Sequence, residues 1–165
     1  MEEFLVKKLG KLNYQALLNL ISENRIELVP VKLAGAYGMT TPDRIYVDLD
    51  ELKKLPDNVV FFVILHEIFH YKRYQVLGKK YFVEIFSSSD FNTLHQHILK
   101  EEQAADRYGR LMYRKFNVAD YPVEFTQMLD DPYKQERYEK NTRMLFGQIK
   151  NEANFDTFWN KFIVN

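Results

Sequence analysis

Cysteine is absent from the 165-residue chain. Disulfides and thiolate metal sites are therefore excluded, leaving His, Glu and Asp as the side chains able to ligate a metal. Net charge is absent too: Lys plus Arg and Asp plus Glu number 23 each, so electrostatics recommend neither nucleic acid nor an anionic membrane as partner. Long apolar runs are also missing. The longest covers residues 59–65, far short of the roughly 20 residues that span a bilayer. The opening MEEFLVKKLGKLNY has acids where a secretory signal wants bases, and it lacks a continuous apolar segment. These absences lead to the expectation of a soluble, cytoplasmic protein. No internal repeat or low-complexity tract interrupts it, and its length suits one domain with a sizeable core.

Hydrophobic periodicity sorts the chain into elements. Residues 13–22 place Ala16, Leu17, Leu20 and Ile21 at helical spacing and predict a first helix. RIELVPVKL at residues 25–33 alternates apolar and polar positions and predicts a strand, which Pro30 puts at an edge or a bulge. Gly35, Gly38, Pro42 and Asp43 supply turn chemistry before a second strand of the same sheet, RIYVDL at residues 44–49. Asp57 or Asn58 can cap the next helix, which should stop near Gly78. Residues 81–86 read equally as strand or extended loop. Ser87 to Asp90 offer caps for a long helix to about Asn117. Asp130, Asp131 and Pro132 mark a turn before helices over about 133–149 and 155–163.

The helix after the second strand contains His66-Glu67-Ile68-Phe69-His70, the H-E-x-x-H pattern that zinc hydrolases place on a helix. Residues four apart share a helical face, so His66 and His70 can offer two imidazole nitrogens to one ion while Glu67 projects beside them. A catalytic zinc usually takes a third protein ligand and leaves the fourth position to water. The long helix supplies candidates in Glu101-Glu102-Gln103-Ala104-Ala105-Asp106. Glu102 and Asp106 share a face, so one can bind metal while the other hydrogen-bonds a ligating histidine. Glu101 is the rival ligand, about 100° around the helix. Ala104, Ala105 and Gly109 are small enough to let the two helices approach closely.

Together, HEIFH at 66–70 and EQAAD at 102–106 resemble the gluzincin metallopeptidases, in which H-E-x-x-H is joined by the first Glu of an E-x-x-A-D motif on a later helix. The resemblance implies zinc as cofactor, His66, His70 and Glu102 as its ligands, Glu67 as general base and Asp106 as the carboxylate that orients a histidine. Upstream, the order of helix, strand, Gly-containing turn, strand and motif helix, with GAYG at 35–38 and IYVDL at 45–49, resembles the ImmA/IrrE family of small cytoplasmic zinc peptidases. Two positions depart from that family's usual pattern: Phe69 stands where it has Gly, and Asp106 where it has Asn.

The implied fold is α+β and zincin-like. A small N-terminal mixed or antiparallel sheet packs on the HEIFH helix and a second long helix, and a helical C-terminal region follows. A single metallopeptidase domain spans 1–165, with a catalytic core at about 13–116 and a helical extension at about 117–165. The implied function is endopeptidase cleavage of a peptide or protein substrate, such as a repressor, with an extended substrate docked on the sheet edge at residues 44–49. His95, seven residues before Glu102 on almost the same face, is the first candidate for a donor to the tetrahedral oxyanion, with His97 pointing away; Tyr74 and Tyr108 are weaker candidates. Two other functions fit the motifs: a catalytically silent scaffold for protein interaction, and a zinc hydrolase of a non-peptide amide.

Overall fold

The computed structural model describes residues 1–116, 118, 122 and 132–164. In chain order come α1 (Glu2–Glu23), β1 (Leu28–Pro30), β2 (Lys32–Leu33), β3 (Gly38–Thr40), β4 (Ile45–Val47), α2 (Leu49–Lys53), α3 (Asp57–Phe86) and α4 (Phe91–Lys115). After these follow α5 (Pro132–Leu145), α6 (Glu152–Phe158), a 3-10 turn (Trp159–Phe162) and β5 (Ile163–Val164). The architecture is mixed α+β, dominated by helices, as expected.

The apolar run at 59–65 is the axis of this arrangement. All its residues are buried, because α3 packs against α1, α4 and the sheet, so no face of its first turns needs polar side chains. Pro56, rather than Asp57 or Asn58, occupies the N-cap, and Asp57 instead adds an acid to the first turn, where the helix dipole favours it. The expected stop at Gly78 is half right. Gly78 takes φ +78° and breaks the helix there, but a second helical segment continues to Phe86 and absorbs the ambiguous residues 81–86. Gly10 breaks α1 in the same way, so the helix expected at 13–22 is preceded by another stretch from Glu2.

Strand order in the main sheet is β1-β4-β3, with β1 parallel and β3 antiparallel to β4. Pro30 therefore sits on an edge strand, where its missing N–H costs no ladder bond. Residues 44–49 do not form the free edge expected of them: β4 is the central strand, bonded on both sides, with Ile45 and Val47 fully inward. The edge beside α3 is β3, part of a segment that its glycines and proline made read as turn.

α4 begins as expected, with Asp90 accepting hydrogen bonds from the backbone N–H groups of Asn92 and Thr93. It approaches α3 tightly at Gly109, where a Cβ would lie 2.6 Å from the ring of Phe62. The C-terminal residues fold back on this frame. β5 pairs antiparallel with β2, and Phe155 and Phe158 of α6 join Tyr74, Phe82, Val83 and Ile149 in a second buried cluster. The helix expected at 133–149 ends at Leu145, and the one expected at 155–163 is replaced by α6, the 3-10 turn and β5. Asp130 and Asp131 lie outside the described residues. Among those described, no helix is long and apolar enough to cross a membrane.

One buried acid ties the sheets together. Asp48, 4 % exposed, caps α2 through the N–H groups of Asp50 and Glu51 and also accepts from the backbone N–H of Leu33 at 2.8 Å. Burial would push its carboxyl up, but the three N–H donors outweigh that and hold it below the ordinary range.

Candidate metal centre

Helical phase brings His66 and His70 together, and the close passage of α4 brings in Glu102. His66 Nε2 lies 3.0 Å from His70 Nε2 and 3.1 Å from Glu102 Oε2, and His70 Nε2 lies 3.4 Å from Glu102 Oε1. Tetrahedral zinc with bonds of about 2.0–2.1 Å has ligand-to-ligand edges of roughly 3.3 Å, so these donors fit around one ion. Among the described residues they form the one group of three or more His, Cys, Asp or Glu side chains able to hold a metal.

Asp106 stands where the motif placed it. Its Oδ1 is 3.2 Å from His66 Nδ1, so a proton on Nδ1 is donated to the carboxylate and Nε2 presents a lone pair to the donor triangle. Glu101, the rival ligand, is held elsewhere in a two-pronged pair with Arg73, Nε to Oε2 at 3.0 Å and Nη2 to Oε1 at 2.6 Å.

Opposite charges support one another across the donor triangle. Burial works against a charged imidazole at His66, yet the charge of Glu102 and hydrogen bonds to Asp106 and Glu102 hold its pKa well above the ordinary value. Burial likewise opposes the Glu102 carboxylate, but the two imidazoles hold its carboxyl far below the usual range. Without a metal, a proton at His66 balances the carboxylates; a divalent cation held by these donors would take the place of that proton.

Glu67 is fixed from the sheet. The hydroxyl of Thr40 on β3 lies 2.7 Å from Glu67 Oε2 and 3.0 Å from the Glu67 carbonyl oxygen, and shares its one proton between them. Gly38 permits this approach: a Cβ there would stand 2.7 Å from Glu67 Cγ. Sequence reasoning missed Thr40. Its only signal was its place next to the glycine-containing segment upstream of the motif helix.

A cleft of about 350 Å³ opens over the donors, with His66, Glu67, His70, Glu102 and Asp106 in its wall. His95 does not line it, which corrects the expectation of an oxyanion donor there. Two turns of α4 separate His95 from Glu102, roughly 10 Å along the axis, and at that height α4 faces α5. Thr142 donates its hydroxyl proton to the Tyr138 carbonyl at 2.8 Å, so His95 Nδ1, 2.9 Å from Thr142 Oγ1, is the donor to that oxygen. The ring of His95 also stacks on Phe91. His97, expected to point away, lines the cleft instead, as does Tyr74. Tyr108 buries a hydroxyl with no acceptor among the described residues and does not line the cleft.

Comparisons of the chain with protein-family models, with curated proteins and with solved structures gave no match.

Proposed function

We propose that the chain is a zinc-dependent peptidase of gluzincin type. The observation that carries this reading is the convergence of His66, His70 and Glu102 on one point, with Glu67 held beside them by Thr40. A zinc ion held by His66, His70 and Glu102 would supply a Lewis acid able to activate water near neutral pH and to polarise a carbonyl. Glu67 accepts the proton of the attacking water and passes it to the leaving amine. Thr40 aims the Glu67 carboxylate, and Asp106 fixes the ring of His66. An extended peptide adds to edge strand β3, which carries both Gly38 and Thr40 past the site. The resemblance to the ImmA/IrrE family makes cleavage of a separate regulatory polypeptide, such as a repressor, the biological role consistent with this site.

The test compares the zinc-loaded protein with its Glu67→Gln variant on a peptide library. Both forms should retain zinc, and the variant should lose activity by about 10²–10⁴-fold, the range for removal of a general base. Stoichiometric zinc with no cleavage by either form would contradict the peptidase and favour a silent scaffold or a non-peptide substrate.

A further inference from the structure

Beyond the metal donors the wall of the cleft changes character. Tyr74, one turn past His70, starts a run of rings that continues through Phe82 at 4.1 Å between centroids, Phe86 at a further 6.4 Å and Trp159 at a further 6.0 Å. Ile85, Ile98 and Leu145 line the same cleft. Ile85 and Ile98 are partly exposed and belong to neither buried cluster, so they bring apolar surface to the wall of the opening. The carboxylates of the wall, Glu67, Glu101, Glu102 and Asp106, all come from the metal end, and among the described residues no Lys or Arg lines the cleft. Burial, with the charges of Glu67, Glu101 and Glu102, pushes the Tyr74 phenol up and keeps it neutral.

We propose that this ring-lined end is a subsite for one large apolar side chain of the substrate, aromatic or long aliphatic, next to the scissile bond. The inference rests on the peptidase reading and deepens it by naming the substrate class. Three features support it. The wall is continuous with the metal site, so a side chain seated there belongs to a residue adjoining the hydrolysed bond. The whole cleft, metal end included, holds about 350 Å³, the small end of ligand sites of roughly 300–1,000 Å³, so its ring-lined part has room for no more than one large side chain. Acidic side chains are disfavoured, because the described wall offers them carboxylates and no Lys or Arg.

The chain has a single tryptophan, and it is Trp159, so intrinsic fluorescence reports on this end of the cleft. The zinc-loaded Glu67→Gln protein is titrated with blocked hexapeptides that carry Phe, Leu, Lys or Asp at either of the two central positions. Binding is followed by calorimetry and by Trp159 emission. Phe and Leu peptides should bind roughly tenfold to hundredfold more tightly than Asp peptides and should shift the emission. Ile85→Glu should remove that preference and favour Lys while leaving zinc stoichiometry intact. Ile85→Ala, which tests the same wall without adding a charge, should move the preference toward larger rings. Equal binding of all four peptides, or binding with silent Trp159 emission, would overturn the subsite and leave the peptidase reading standing. If no peptide binds and the zinc-loaded wild type cleaves none, both readings fall together.

Discussion

Two cores of different chemistry hold the two ends of the cleft. The one under the metal donors is mainly aliphatic: Val60, Ile64, Leu65 and Ile68 of α3 pack with Leu17 of α1 and Ile45 and Val47 of β4. The other, on both sides of the break at Gly78, is mainly aromatic, with Tyr74, Phe82, Phe155 and Phe158. The first core must hold three donors within a few ångströms, and branched aliphatic side chains with few rotamers fill a close helix contact without voids. The second forms a wall, for which broad rings suffice. Positional precision belongs to the first region and shape to the second.

Substitutions can separate the two. Phe155→Ala, at a position fully buried in the aromatic core, should cost about 3–5 kcal/mol, measured by chemical denaturation, with the zinc stoichiometry of the folded fraction unchanged. Loss of zinc from the folded fraction would show that the cores are one unit. Gly109→Val drives a side chain into Phe62 and should cost about 1–3 kcal/mol. Unlike Phe155→Ala, it should also weaken zinc binding, because it pushes apart the helices that carry His66 and Glu102.

Asp48→Asn tests the junction between β2, β4 and α2 and should cost about 1–2 kcal/mol at neutral pH. The Asp48 carboxyl is depressed in the folded state, so its contribution is fully present above the ordinary value of about 3.9. It is lost as pH falls through the lower folded value. The stability gap between wild type and variant should therefore narrow in acid and stay constant from pH 5 to 8, roughly, by urea denaturation. The smallest effect belongs to His95→Ala. Losing its bond to Thr142 should cost about 0.5–1.5 kcal/mol and leave zinc binding and peptide cleavage near wild type; a large loss in kcat with stability intact would return His95 to the chemistry.

The same division explains what could be read from the sequence. Helical phase within one element was legible: His66 with His70, and Glu102 with Asp106, needed only a spacing of four. Distance along the axis was not, and this is why His95, on nearly the right face, ended against Thr142 of α5 instead of in the cleft. The Thr40 to Glu67 contact joins a strand to a helix 27 positions away, and nothing local in a glycine-containing segment announces it. The ring-lined end depends on Trp159 and Leu145 folding back over α3 across the break at Gly78. Period indicated the helices of that region approximately, and packing on α3 with the pairing of β5 on β2 decided the rest.

The most direct test of the account is zinc per chain, measured by elemental analysis after dialysis against a competing chelator, for the wild type, Glu102→Ala and Glu101→Ala. The account predicts one zinc in the wild type, one in Glu101→Ala, whose carboxylate belongs to Arg73, and a marked loss in Glu102→Ala. A wild type without zinc, or a loss that follows Glu101 instead of Glu102, would contradict it.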